Sequence, residues 1–199
     1  MDATTGIIRS FIALNIPDEL HEAIGRIQDK LRYFPGASAI RWTRSKHLHV
    51  TLHFLGDIDA AHVPELIAAA REICAQESAL NLTLTGAGCF PSFEKPSVVW
   101  FGVAGETDRL IEIRRRFLER AGPTLGEFEI HPFVPHLTLG RVKNGCYKLA
   151  RIFGSALKSA ESKIGVVGQW QAGSIQFMRS ELTTAGSEYT ELARIELNQ

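Results

Sequence analysis

The sequence lacks several features that would place it in a specialised class of protein. Its 199 residues include only three cysteines and no Cys-x-x-Cys pair, so reduced, non-catalytic thiols are expected. No apolar run approaches the roughly 20 residues that a membrane-spanning helix needs. The 22 basic and 22 acidic residues cancel, which argues against a protein that coats nucleic acid by charge alone.

The absence of sorting and linker signals bounds the location and the domain organisation. The first six residues show no basic stretch followed by an apolar one, so no signal peptide is predicted. Together with the reduced thiols, this predicts a cytoplasmic protein without a membrane partner. No low-complexity linker divides the chain, and 45% hydrophobic residues suffice for a full core. One domain or two closely packed lobes are therefore expected.

What is present is a short phrase that occurs twice, 87 positions apart (136 − 49): His49-Val50-Thr51-Leu52 and His136-Leu137-Thr138-Leu139. Side chains of an extended strand alternate between two faces, so the His and Thr of each copy point the same way. Two imidazoles and two hydroxyls from similar segments indicate a symmetric site in which one His gives a proton and the other takes one. The pattern predicts an enzyme.

Hydrophobic periodicity predicts that strands and helices interleave along the chain. Alternation is cleanest in the first motif strand, which Gly56 is expected to end. Apolar residues recur at helical spacing in four stretches, and the third helix is expected to stop at Gly122-Pro123. The closing segments read as a hairpin, which favours antiparallel pairing. The predicted fold class is α+β, built from two strand–helix halves.

The residues around the two motifs resemble a known family. The segments 49–56 (HVTLHFLG) and 135–142 (PHLTLGRV) are similar to the paired motifs of the two-histidine (2H) phosphoesterases. Within that superfamily they most resemble the RNA 2′,3′-cyclic phosphodiesterases, also called 2′–5′ RNA ligases. The resemblance covers essentially the whole chain, because other segments follow in the family's order. These segments are Phe11–Pro17, Phe90–Ser92, Val99–Val103, Arg179–Leu182 and Tyr189–Leu192.

The resemblance implies both a fold and an activity. The fold is a single domain over residues 1–199, bilobal, with two pseudo-symmetric, interleaved lobes of mostly antiparallel sheet and outer helices around a central cleft. The implied reaction is hydrolysis of RNA 2′,3′-cyclic phosphate ends to 2′-phosphomonoesters, with 2′–5′ end joining as a side activity. It implies no metal and no other cofactor. His49 and His136 would be catalytic, and Thr51 and Thr138 would bind the phosphate.

The chemistry suits these side chains independently of the resemblance. Opening a strained cyclic phosphate requires one group to deprotonate water and another to protonate the leaving oxygen, and two imidazoles can do both. Threonine hydroxyls can donate to the non-bridging oxygens as charge builds on them. The resemblance assigns His136 as the base and His49 as the acid that protonates the 3′-oxygen. The residues alone leave this assignment open.

Arg141 is a further candidate for phosphate binding. The family often has a phosphate-contacting arginine at this place, and a guanidinium can bind phosphate through paired hydrogen bonds. Strict alternation, however, puts a residue five positions after His136 on the opposite face. Arg141 therefore reaches the site only if a bulge or the strand end re-aims it.

A zinc site is the competing interpretation of the first motif. Under strict alternation His47 and His53 share the face of His49, and His-x-His on a strand can bind zinc. The zinc interpretation leaves the His136 copy unexplained. His53 is instead expected to line the cleft wall. The other histidines are expected on the surface or in loops: His21, His47, His62 and His131.

Two further groups of side chains could contact RNA. The run Arg114-Arg115-Arg116 is interpreted as a solvated helix face in preference to an RNA-docking patch. Aromatic rings commonly hold unpaired bases by stacking. The sequence does not choose among four such rings, Trp42, Phe54, Phe90 and Phe93.

The expected partner is an RNA end, such as that of a tRNA fragment, or a nucleotide cyclic phosphate, bound by a monomer. Two alternatives stay open. One is a 2H phosphodiesterase for a small cyclic phosphate, such as ADP-ribose cyclic phosphate, or for a 2′–5′ oligonucleotide. The other is a nucleotide- or RNA-binding module without turnover, which the presence of both histidines disfavours.

Overall fold

The computed structural model describes residues 6–126, 132–184 and 186–198, so the prediction for His131 lies outside the described residues. Within these ranges the chain forms nine strands and four α-helices. The strands are β1 (Ile7–Asn15), β2 (Ile40–Trp42), β3 (His49–Asp59), β4 (Leu80–Phe90), β5 (Val98–Gly105), β6 (His136–Val142), β7 (Val166–Ala172), β8 (Ser174–Thr183) and β9 (Gly186–Glu196). The helices are α1 (Asp18–Arg32), α2 (Val63–Cys74), α3 (Thr107–Leu125) and α4 (Tyr147–Ala160).

The predicted α+β class is confirmed, with two corrections to element ends. Strand β3 continues past Gly56, which takes a φ of +73° inside the strand, and ends three residues later. Helix α3 continues through Pro123 to Leu125. A proline in the last turn removes only one late backbone donor from the helix, and the Gly126 amide still donates to the Gly122 carbonyl at 2.9 Å.

The strands form one sheet in the order β7-β4-β5-β6-β3-β1-β8-β9, and β2 lies beside β6. All the strand pairs are antiparallel. The order divides the sheet into two halves of four strands, β7-β4-β5-β6 and β3-β1-β8-β9. They meet where Val50 of β3 pairs with Leu137 of β6. The two motif strands are therefore the innermost strands of the two halves.

Burial of the apolar motif residues fixes which way the motif histidines point. Val50, Leu52, Leu137 and Leu139 are at most 2% exposed and belong to the main core with residues of all four helices. Burying each such side chain contributes roughly 1.5–3 kcal/mol, so the opposite phase of either strand would be strongly disfavoured. The histidine and threonine of each copy consequently face away from the helices. No helix in the described part of the chain is long and apolar enough to span a membrane.

Candidate active site

The contact between β3 and β6 brings the two motifs into one place. Val50 pairs with Leu137 in antiparallel register. Continuing that register by one residue in each direction puts His49 opposite Thr138 and Thr51 opposite His136. Directly opposite side chains lie on the same face with Cβ atoms about 4.5–5.5 Å apart. The single pair Val50–Leu137 thus brings the histidine and threonine of both copies to the same face at the junction of the two strands.

Each of the two imidazoles is held by a hydrogen bond to a backbone carbonyl two residues earlier. His49 Nδ1 lies 2.8 Å from the carbonyl oxygen of His47, and His136 Nδ1 lies 2.8 Å from that of Val134. A carbonyl oxygen only accepts, so each Nδ1 carries the proton and donates it. Each Nε2 then presents a lone pair, ready to take a proton or, once protonated, to give one.

Aromatic rings restrict how the two imidazoles can turn. Phe11 stacks on His49 with centroids 5.0 Å apart, and Tyr189 meets the same ring edge-on at 5.4 Å. Phe90 meets His136 edge-on at 4.9 Å. Phe11 is 1% exposed, although it stands outside the main core. Its burial comes from the cleft side of the sheet, where it supports the His49 ring.

This environment lowers the pKa of both histidines. Burial lowers the pKa of His49 to about 4; the bond to the His47 carbonyl opposes the shift, and the nearby charges of His47, Arg141 and His136 add to it. Burial also lowers the pKa of His136, with Arg141 adding to the shift and the Val134 carbonyl opposing it. Without a bound anion, both rings are neutral near pH 7. The negative charge of a phosphate would raise both pKa values.

A bulge interrupts each motif strand at its leucine. Consecutive residues of β1 pair with residues 51 and 53, and consecutive residues of β5 pair with residues 138 and 140, so Leu52 and Leu139 are the extra residues. A bulge inverts the alternation that follows it. Two positions later, Phe54 and Arg141 therefore return to the face of the histidines. Arg141 acts electrostatically on both His49 and His136, as its placement on that face requires.

Each bulge is held by a buried side chain from a helix. Gln28 of α1 donates through Nε2 to the Leu139 carbonyl at 3.0 Å, and Arg114 of α3 donates through Nε to the Leu52 carbonyl at 3.0 Å. Gln28 is 5% exposed and Arg114 is 7% exposed. The Leu139 carbonyl also accepts from the Thr43 amide at 2.8 Å. A hydrogen bond of this kind contributes about 0.5–1.5 kcal/mol, so Gln28 and Arg114 stabilise the irregularities that turn Phe54 and Arg141 towards the cleft.

The predicted place of His53 on the cleft wall is wrong, because the bulge at Leu52 turns it towards α3. Its Nδ1 accepts from Arg114 at 3.3 Å, and burial, with Arg114 adding to the shift, lowers its pKa to about 4. His47, His49 and His53 thus do not share a face, which removes the ligand set of the zinc interpretation. Among the residues that the structure describes, no group of three His, Cys, Asp or Glu side chains is placed to hold a metal ion.

The arginine run on α3 is not one solvated face. Arg114 is buried, whereas Arg115 bonds Glu112 and Glu119 on the surface and Arg116 pairs with Glu77 at 3.0 Å. The prediction is therefore wrong for Arg114, and acidic neighbours offset the charge of the other two. The helical spacing of the apolar residues indicates that Arg114 is buried, because position 114 lies four residues after one apolar position of α3 and three before another.

The two motif threonines keep their hydroxyls available. Thr51 and Thr138 are half-buried. In the described ranges, neither hydroxyl makes a hydrogen bond to the protein. Each can therefore donate to an anion placed between the strands.

The packing of the side chains shows which of the remaining aromatic and histidine residues lie in the core and which are exposed. Trp42 packs edge-on against Phe153 of the core, and Phe93 packs against the same core. Phe54 is 56% exposed on the cleft face. His62 is exposed as predicted. His47 lies in the connection between β2 and β3, as the prediction of a surface or loop position allows, but its side chain is only 12% exposed and lies edge-on to Tyr189.

A cleft of about 720 Å³ opens beside the histidine pair. Its lining includes Arg141, Tyr189, which contacts the His49 ring, and the tip of the β8–β9 hairpin. Arg41, which was not among the residues predicted from the sequence, pairs directly with Arg141 across β2 and β6. The available signal was its position in the short strand Ile40–Trp42 that precedes the first motif. The basic side chains along the cleft are Arg41, Arg44, His47 and Arg141.

Comparisons with known proteins agree with this geometry. A family model described as LigT like Phosphoesterase matches residues 14–100. An RNA 2′,3′-cyclic phosphodiesterase of Methanothermobacter thermautotrophicus is 30% identical over 93% of this chain and 96% of its own length. A second, from Archaeoglobus fulgidus, is 29% identical over 93% of this chain and 98% of its own.

Solved structures share the whole architecture. A protein of Thermus thermophilus superposes with a TM-score of 0.77 at 25% identity, over 96% of this chain and 98% of that one. The E. coli LigT protein complexed with 3′-AMP gives a TM-score of 0.74 at 27% identity, over 98% of this chain and 100% of its own. The resemblance drawn from the motifs is thereby confirmed. The chain belongs to the LigT-like phosphoesterases of the two-histidine superfamily.

Proposed function

We propose that this protein hydrolyses RNA 2′,3′-cyclic phosphate ends to 2′-phosphomonoesters by metal-independent catalysis with two histidines. The observation that carries the proposal is the matched pair of imidazoles. Each is bonded through Nδ1 to a carbonyl two residues earlier, which leaves each Nε2 for the substrate. The names of the curated relatives support the same substrate class.

In the proposed reaction one ring is the base and the other the acid, and the roles are those that the family resemblance assigns. His136 takes a proton from water as the water oxygen attacks phosphorus. His49, protonated once the phosphate has raised its pKa, gives a proton to the leaving 3′-oxygen as the bond from phosphorus to that oxygen breaks. The hydroxyls of Thr51 and Thr138 and the guanidinium of Arg141 stabilise the charge that builds on the non-bridging oxygens. The products are a 2′-phosphate and a free 3′-hydroxyl. When the 5′-hydroxyl of a second RNA attacks phosphorus in place of water and gives its proton to His136, the same departure of the 3′-oxygen gives a 2′–5′ phosphodiester, which is end joining.

Phe54 is proposed as the surface that stacks the terminal base. Its ring is 56% exposed on the cleft face and rests against Phe11, with centroids 5.8 Å apart. An exposed ring backed by a buried one offers a rigid platform for a base. Trp42 and Phe93 are engaged in the core, and Phe90 already packs against Trp100 and His136.

We further propose that the chain acts in the cytoplasm as a monomer of one domain with two interleaved lobes, on RNA ends that include tRNA fragments. The three cysteines are free thiols, as a reducing compartment requires. Burial raises the pKa of Cys74 and of Cys89 to about 12. Neither thiol is therefore suited to act as a nucleophile.

The test uses a short RNA that ends in a 2′,3′-cyclic phosphate, assayed before and after exhaustive EDTA treatment. Conversion to the 2′-phosphate at an unchanged rate is expected. Loss of activity on chelation, restored by zinc, would contradict the mechanism. Turnover of a small cyclic phosphate but not of RNA would favour the alternative substrate class, and binding of both without turnover would favour a non-catalytic binding module.

A further inference from the structure

A second arginine stands beside Arg141, and the reaction described above does not use it. In the pairing of β2 with β6, Arg41 lies directly opposite Arg141. Directly opposite residues share a face, with Cβ atoms about 4.5–5.5 Å apart, and like charges in that position destabilise a sheet. The pair is therefore unfavourable for folding unless an anion lies between or beside the two guanidinium groups.

No protein group supplies that anion in the part of the chain that the structure describes. Neither Arg41 nor Arg141 has an ion pair or hydrogen bond there. The acidic side chain beside the cleft, Glu188, is already engaged. Lys46 contacts Glu188 at 2.8 Å, and Arg44 contacts it at 3.7 Å. The positive charge of the Arg41–Arg141 pair thus faces the cleft uncompensated.

The cleft is larger than a reacting phosphate requires. Its volume is about 720 Å³, and its lining includes Arg141, Arg41 and Thr184 at the β8–β9 hairpin. Cavities of roughly 300–1,000 Å³ hold ligands of drug size. The space beyond Arg141 can therefore hold a further part of the same nucleic-acid chain.

We propose that Arg41 binds the phosphodiester group immediately 5′ to the terminal cyclic phosphate, so that the protein selects RNA chains over mononucleotides. The inference rests on the proposed function, because that function assigns Arg141 to the reacting phosphate. Two phosphates of one strand then offset the two opposed arginines. Arginine suits this task because its planar guanidinium forms paired hydrogen bonds to phosphate oxygens.

The test compares two substrates and four proteins. The substrates are a tetranucleotide that ends in a 2′,3′-cyclic phosphate and the corresponding mononucleotide, adenosine 2′,3′-cyclic phosphate. The proteins are the wild type, Arg41→Ala, Arg41→Lys and Arg71→Ala, where Arg71 is an exposed arginine of the outer helix α2. Thermal unfolding is measured for each, so that a loss of folding is recognised.

Arg41→Ala is expected to lower kcat/KM for the tetranucleotide by about tenfold and for the mononucleotide by less than about twofold. Arg41→Lys restores part of the loss because it keeps the charge, and Arg71→Ala changes neither substrate. Equal losses on both substrates, or no loss on either, would overturn the inference. If the wild type turns over neither substrate, the proposed function fails instead.

A binding assay tests the site without turnover. The probe is a fluorescent tetranucleotide that ends in a 2′-phosphate, with its Kd measured by anisotropy at several salt concentrations. Arg41→Ala is expected to weaken binding by about tenfold. It should also make the slope of log Kd against log salt shallower by about 0.7. Unchanged affinity and slope would overturn the inference even for a protein that hydrolyses both substrates.

Discussion

The two halves of the sheet hold their motif histidines in the same way and then differ in the side chains that they add to the cleft. In each half, a histidine bonds the carbonyl two residues before it, and a bulged leucine directly follows the threonine. A buried helix side chain holds the carbonyl of each bulged leucine. These donors are Arg114 in one half and Gln28 in the other.

The difference appears at the residue that each bulge turns towards the cleft. One half presents the exposed ring of Phe54, and the other presents the guanidinium of Arg141. Strand β2 accompanies only β6, which adds Arg41 beside Arg141. The shared parts suit proton transfer, which needs two equivalent groups on opposite sides of one phosphate. The unequal parts suit recognition, because an RNA end has a base on one side and a phosphate chain on the other.

Removing either histidine should give the largest effect. His49→Ala and His136→Ala are each expected to lower kcat by about 10²–10⁴-fold, since each removes a general acid or base. Thr51→Val and Thr138→Val should cost less, because each removes one hydrogen bond to the phosphate. The measurement is single-turnover hydrolysis of the cyclic phosphate.

A substrate with an activated leaving group distinguishes the roles of the two histidines. A substrate whose 3′-leaving group needs no proton should rescue His49→Ala and leave His136→Ala slow. Rescue of His136→Ala instead would exchange the acid and base roles. Rescue of neither variant would argue against acid–base catalysis by this pair.

The two residues that differ between the halves, Arg141 and Phe54, should give the next largest effect when they are replaced. Arg141→Ala is expected to lower kcat/KM by about 100-fold for every substrate, because it loses charge-assisted bonds to the reacting phosphate. Phe54→Ala should raise KM by about tenfold, with kcat nearly unchanged, because it removes stacking on the base. Steady-state kinetics separate the two effects. A fall in kcat with KM unchanged for Phe54→Ala would contradict its proposed role.

Gln28 should have a smaller effect that acts through Arg141. Gln28→Met is expected to lower the free energy of unfolding by about 0.5–1.5 kcal/mol and kcat/KM by several-fold, since the bulge that aims Arg141 loses one of its two donors and keeps the Thr43 amide. In a double-mutant cycle, Gln28→Met should add little to Arg141→Ala. Arg114→Met, which affects the other bulge, should be additive with Arg141→Ala. Additivity for Gln28→Met as well would limit Gln28 to a structural role.

The smallest expected effect is a pH dependence, which is measured first in the unchanged protein. Because burial lowers the pKa of His49 to about 4 and lowers that of His136, both should titrate below 6.5 in the free protein and at higher pH with a 2′-nucleotide bound. NMR of the imidazole protons measures this. A folded-state pKa below the unfolded value means that stability is lost as pH falls from about 6.5 towards 4. His49→Gln should weaken that dependence of Tm, whereas titration of His49 at 6.5 or above would contradict the assignment.

The local sequence determined the secondary-structure elements and the strand face on which the motif side chains lie. The helix over 147–160 and the strand over 136–142 follow from apolar spacing, and the structure has both at those residues. The common face of His49 and Thr51, like that of His136 and Thr138, follows from alternation with buried neighbours. These features depend on residues within one helix or one strand, so periodicity alone reveals them.

Only the tertiary structure decided where residues beyond the motif leucines point. The bulge at Leu52 depends on a donor 62 positions away, and the bulge at Leu139 depends on a donor 111 positions away. Those hydrogen bonds turn His53 out of the cleft and Arg141 into it, which reverses strict alternation. Strand pairing likewise sets Arg41 beside Arg141 across 100 positions (141 − 41). Such contacts join segments with no common local pattern, so the composition of the cleft depends on the packed sheet and not on the periodicity of either motif.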